Sequence, residues 1–158
     1  LSATWNEFNI EQTVWIIPGE RRKTRGKISE PHIVPLTALH LQLLEEIKRE
    51  TDNEVYLFPA IGGQAPRRYD SLTHAVRGFV QASEIEKFSP RDIRRTFKTI
   101  AGSMGITIEM RNRLQGHAMT DVGSVHYDRY DYLSEKRTAM QTWIHGLQTI
   151  VGDPYDEK

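Results

Sequence analysis

Residues 113–132, "RLQGHAMTDVGSVHYDRYDY", set a Gly-His pair at 116–117 ahead of three of the chain's six tyrosines: Tyr127, Tyr130 and Tyr132. Two readings stand. The tyrosines are helix-face aromatics, or one of them is a nucleophile with His117 in its site. A tyrosine hydroxyl has a pKa of about 10, so as a nucleophile it needs help to lose its proton and a target made electrophilic. Cations are close in sequence: residues 87–113 hold seven Lys or Arg against Asp92 and Glu109. A second cluster, Arg21, Arg22, Lys23, Arg25 and Lys27, contains no acid. On charge alone a solvated loop and a salt-bridged helix account for both clusters, and a face that holds a polyanion is the alternative. His126 and Asp128 flank Tyr127 without a third ligand at metal-binding spacing.

Those residues need elements to hold them. Thr13 to Ile17 is rich in β-branched and aromatic residues and stops at Pro18-Gly19; "PHIVPL" (31–36) reads as its return partner. The hairpin between them has a long tip, Glu20 to Glu30, that carries the first basic cluster. Thr37 caps a helix with Leu39, Leu43, Leu44 and Ile47 on one side, and Ser71 caps another with Leu72, Ala75, Val76, Phe79 and Val80 inward. In "SPRDIRRTFKTIAGSMG", Ser89 is the N-cap, Pro90 the first helical residue and Asp92 a first-turn acid. Ile93, Phe97, Ile100 and Met104 form its buried stripe, while Arg91, Arg94 and Lys98 share another face. A short helix, Ile108 to Leu114, ends at Gly116. The last helix, from about Ser134, aligns Met140, Trp143, Ile144, Leu147 and Val151. The fold class expected is α+β, mostly helical, with a small antiparallel sheet near the start.

Composition narrows the chemistry. The absence of cysteine excludes disulfides, thiolate metal ligands and cysteine catalysis, and fits a reducing cytoplasm. No run approaches the roughly 20 apolar residues of a membrane span, and no basic-then-apolar leader opens the chain. Lys and Arg balance Asp and Glu at 21 each, so net charge alone selects no partner.

The stretches "WIIPGERRKTRGKISEPHIVPLT", "SPRDIRRTFKTIAGSMGI" and "RLQGHAMTDVGSVHYDRYDYLSEKRTAMQTWI", in that order and spacing, resemble the catalytic domain of tyrosine recombinases, the phage-type integrases, most closely those of prophages and genomic islands. The resemblance implies cleavage and rejoining of DNA through a 3′-phosphotyrosine, with no metal or other cofactor. It implies double-stranded DNA attachment sites as partner, a recombination tetramer, no membrane, and a bacterial cytoplasmic, nucleoid-associated location. Matched residue by residue, Tyr127 is the nucleophile and Lys23 the general acid on the leaving 5′-oxygen, with Arg25 or Lys27 as alternatives. Arg94 holds the scissile phosphate, and His117 of "LQGH" is a second donor to it. Arg21, Arg22, Arg25, Lys27, Arg95 and Lys98 are expected to bind DNA. Tyr130 and Tyr132 read as packing or DNA-flanking residues, and the Trp143 stripe as core.

Two departures from the family pattern carry expectations. Arg91 stands where the family's His-x-x-Arg motif has histidine; an arginine keeps the phosphate-clamp role but cannot act as a base near neutral pH. The family's other catalytic arginine would precede "LSATWNEFNI", so residues 1–158 are expected to be one truncated catalytic domain, inactive alone and without its amino-terminal DNA-binding domain. Two other functions are weighed beside recombination: type IB topoisomerase-like nicking and closing, and a non-catalytic DNA-binding module of the same fold.

Overall fold

The computed structural model describes residues 1–21, 30–117, 130–152 and 154–155. Lys23, Arg22, Arg25, Lys27 and Tyr127 lie outside these residues, as does most of the hairpin tip.

The chain opens with three short antiparallel strands, β1 (Phe8–Asn9), β2 (Val14–Ile17) and β3 (His32–Pro35), in the order β1-β2-β3. The register sets Trp15 opposite Val34 and Ile17 opposite His32, so the expected hairpin pairing forms. Thr13, in the β1–β2 turn, is β-branched yet sits at φ +50°, a conformation that disfavours such residues. Tertiary bonds hold it there: Arg137 donates to Thr13 Oγ1 (2.6 Å), and Leu36 N–H donates to its carbonyl (2.9 Å).

Helices follow: α1 (Ala38–Thr51), α2 (Ser71–Ser83), α3 (Pro90–Ser103), α4 (Ile108–Leu114) and α5 (Leu133–Val151). Thr37 caps α1 with His40 completing a capping box, and Ser89 caps α3 with Asp92 and Pro90 as the spacing requires. Among the described residues the chain is thus mostly helical with a small antiparallel sheet. None of these helices is long and apolar enough to cross a membrane.

Two apolar clusters support the structure. Ala3, Leu36, Leu44 and Leu57 gather with Trp5, Phe8 and Trp15 beneath α1. Ala101, Ile106, Leu114, Ala139 and Met140 join α3, α4 and α5, with Val34 of β3 and an edge-on Phe97–Trp143 pair at 5.0 Å packed against them. This second cluster packs the middle and end of α3 against α4 and α5.

Several stripes are narrower than the spacing implies. Leu43, Leu72, Ala75, Phe79, Ile93 and Val151 are exposed, Phe79 to 56% and Ile93 to 59%. The physical reason is coverage: α2 packs mainly against α3, and a helix with one neighbour buries only the residues nearest it, here Val76 and Val80 in part. On α1 the half-buried Leu41 packs where Leu43 was expected. The residue flanking α2 is Asp70, with Ser71 the first helical residue.

Candidate functional site

The start of α3 is fixed by its own sequence. The Asp92 carboxylate accepts from Ser89 N–H (3.0 Å) and Ser89 Oγ (2.7 Å), closing the helix end. The same carboxylate accepts from Arg95 at 3.0 Å. The Ser89 hydroxyl and amide, with Arg95 adding its charge, hold the Asp92 carboxyl below the ordinary range. Arg95 is therefore tied sideways along its helix. One position earlier, Arg94 reaches away from it and donates from Nη2 to the Gln115 carbonyl at 2.7 Å, while Gln115 Nε2 donates back to the Arg94 carbonyl at 2.9 Å. These reciprocal bonds join the first turns of α3 to the end of α4.

The end of α4 explains how His117 arrives beside them. Gly116 adopts φ +64°; its N–H bonds the Arg113 carbonyl (3.1 Å) and His117 N–H bonds the Asn112 carbonyl (3.0 Å). These two bonds form a Schellman turn, which reverses the chain and needs a left-handed residue. A side chain would meet a second obstacle: a Cβ here would lie 3.1 Å from the His32 ring, whose Nε2 sits 3.1 Å from the Leu114 carbonyl. The turn sets His117 Nδ1 3.5 Å from Lys98 Nζ and 3.3 Å from Asn112 Oδ1.

The result, among the described residues, is a group of donors with little opposing charge. Partial burial, then the charges of Arg94 and Lys98, push the His117 pKa below its ordinary value of 6.5. The ring is therefore neutral near pH 7. Arg91, three residues before Arg94, is exposed at the helix start and forms no hydrogen bond or ion pair among the described residues. Forked guanidinium donors beside a neutral imidazole and an ammonium suit an anion with several oxygens, such as a phosphate. Among the described residues no three His, Asp or Glu side chains gather closely enough to hold a metal ion.

Arg94, Lys98 and His117 are thus brought together. Arg21 is placed elsewhere: its guanidinium pairs with the buried Glu7 and donates to Ser2 Oγ at 3.3 Å. Tyr132 flanks the start of α5, stacked under the Arg113 guanidinium at 3.4 Å and edge-on to Tyr130 at 4.9 Å. Sequence reasoning missed Gln115 and Asn112, which hold Arg94 and His117. The one local signal for Gln115 was its place inside "LQGH".

The description of the phage integrase family matches residues 1–132, which include every residue of this cluster. The integrase of Enterobacteria phage P4 is 24% identical over 159 residues, spanning 92% of this chain and 35% of the phage protein. The prophage integrase IntA of Escherichia coli K12 is 27% identical over 142 residues, covering 89% of this chain and 33% of its own length. The chain spans about a third of the length of these curated relatives.

Proposed function

The chain belongs to the phage integrase family, and from that premise we propose that it is the catalytic domain of a tyrosine-type, site-specific DNA recombinase. The observation that carries this reading is the meeting of Arg94, Lys98 and His117 at the α3–α4 junction. In the proposed step the Tyr127 oxygen attacks the scissile phosphorus and passes its proton to water. The bond from phosphorus to the 5′-oxygen breaks, and Lys23 of the hairpin tip gives that oxygen a proton. The products are a 3′-phosphotyrosine and a free 5′-hydroxyl, and the reverse attack by a 5′-hydroxyl rejoins the strand without an external energy source. Arg94 and His117 donate to the non-bridging oxygens, with Arg91 adding a donor where the motif histidine would stand. Such donors act where negative charge builds in the transition state. Two double-stranded DNA attachment sites are the substrates, held in an assembly of four such domains.

A duplex nicked close to the cleavage site tests this, because loss of the short fragment traps the covalent adduct. The protein that carries this chain should become attached to DNA through Tyr127. Tyr127→Phe should abolish attachment, and Arg94→Ala should slow it by about 10²-fold or more, the usual cost of removing one transition-state donor. Attachment that survives Tyr127→Phe and disappears with Tyr130→Phe would overturn the assignment of the nucleophile. Relaxation of supercoils with no sequence requirement would replace recombination with nicking and closing.

A further inference from the structure

We propose that Lys98 is a positioning residue that fixes His117 in the neutral tautomer with its proton on Nε2, so that the imidazole donates to an anion and does not serve as a proton acceptor. This rests on the phosphate-binding reading above and assigns the direction of one bond within it.

The geometry at Nδ1 leaves little choice. Among the described residues two polar groups face that nitrogen, Lys98 Nζ at 3.5 Å and the Asn112 amide at 3.3 Å. An ammonium has three donors and no lone pair, so it can approach Nδ1 only if Nδ1 carries a lone pair. The amide is adaptable: a half-turn of its side chain replaces Oδ1 with the Nδ2 donor. The amide can take either role and the ammonium can only donate, so the lysine sets the direction of the bond. A proton on Nδ1 would point a positive N–H at the ammonium, with the Arg94 guanidinium adding repulsion from the same helix. From β3, His32 faces the neighbouring Gly116 and is occupied with the Leu114 carbonyl. On α4, Arg113 is bound to Glu109 and Arg111 to the Lys98 carbonyl. Asp92, the acid of the α3 first turn, is held by Ser89 and Arg95. No carboxylate among the described residues pairs with His117, and nothing there favours a second proton on the ring.

The consequence reaches the chemistry. A histidine fixed as an Nε2–H donor binds a phosphate oxygen equally well across neutral pH. It also leaves the proton of the attacking tyrosine to another acceptor, which Arg91 cannot be.

Long-range ¹⁵N–¹H NMR of the histidine side chains, on the chain without DNA, reads the tautomer directly. The His117 signals are identified by their loss in His117→Gln. The expected result is a protonated-type Nε2 and a lone-pair-type Nδ1, titrating below the ordinary histidine range. Lys98→Met should shift the ring toward the Nδ1–H form, with Asn112 as acceptor, and move its titration upward. Lys98→Arg, still a pure donor, should keep the wild-type pattern, and this variant stays informative if Lys98→Met folds poorly. A dominant Nδ1–H form in the wild type, or His117 signals unchanged in Lys98→Met, would overturn the proposal. Failure to form a DNA adduct would count against the recombinase reading and leave the tautomer measurement standing, so the two fail separately.

Discussion

Glu7 shows how much one side chain carries outside the site. Its carboxylate is buried and accepts from Trp15 Nε1 (2.9 Å), Thr4 Oγ1 (3.0 Å) and the Arg21 guanidinium. It joins the first turn of the chain, β2 and the start of the hairpin tip. Removing it leaves an indole N–H and a guanidinium without their acceptor, and the cost of an orphaned buried charge exceeds the net worth of the pair. Glu7→Ala should therefore lower stability by about 3–5 kcal/mol, read as a lower urea midpoint with little change in slope. Replacing Glu7 and Arg21 together with leucines should recover much of that loss, because no charge is left buried alone. A double variant as unstable as Glu7→Ala would show that the pair is not the source. The ion pair gives Arg21 a structural partner inside the fold.

At the scale of elements, the helix ends and the turn after α4 were legible in the sequence because their determinants are local. Thr37, the Ser89-Pro90-Asp92 set and Gly116 each satisfy or reverse backbone groups within a few residues. The bounds of α4, Ile108–Leu114, follow from its neighbours alone. Which apolar stripe would be covered was less legible: spacing says that Leu72 and Phe79 share a side of α2, but not whether a second element lies over it. That Arg94 and Arg95 point to different sides of α3 was readable from helix geometry, and Asp92 supplies the reason that Arg95 turns away. The Arg94–Gln115 and Glu7–Arg21 pairs were not readable, because they join residues brought close only by folding. One of the local devices also makes a pH prediction. His40 Nδ1 accepts from Thr37 N–H at 3.1 Å, and burial holds its pKa below 6.5. The unfolded chain then takes up a proton near 6.5 that the folded chain resists. Stability should be level above that pH and fall as pH drops from 6.5 through the lower folded value. His40→Gln keeps an acceptor at the third helical position without titrating, so it should weaken this fall in urea midpoints. Some pH dependence should remain from His117, whose pKa is lowered in the same sense. A fall as steep in His40→Gln as in the wild type would exclude this source.

For the whole molecule, 21 basic and 21 acidic side chains cancel, so any attraction to DNA must come from how charge is arranged. Cations already matched by an acid release few counterions on meeting a phosphate, whereas unmatched ones contribute fully. Arg95 is held by Asp92 and Arg21 by Glu7, while Arg94 bonds only carbonyl and amide groups and keeps its charge uncompensated among the described residues. On the proposed reading these arginines should separate in a salt titration. The chain should bind duplex DNA weakly, with log affinity falling linearly against log salt at about −0.9 for each phosphate neutralised. Arg94→Ala should reduce that slope by about one contact's worth, whereas Arg95→Ala should change it less. Arg21→Met should leave the slope nearly intact while lowering stability, because its charge is engaged inside the fold. Fluorescence anisotropy of a labelled duplex at several KCl concentrations gives all four slopes. If Arg94→Ala and Arg21→Met reduce the slope equally, the α3–α4 junction is not the face that meets the phosphates, and the basic hairpin would have to carry the contact instead.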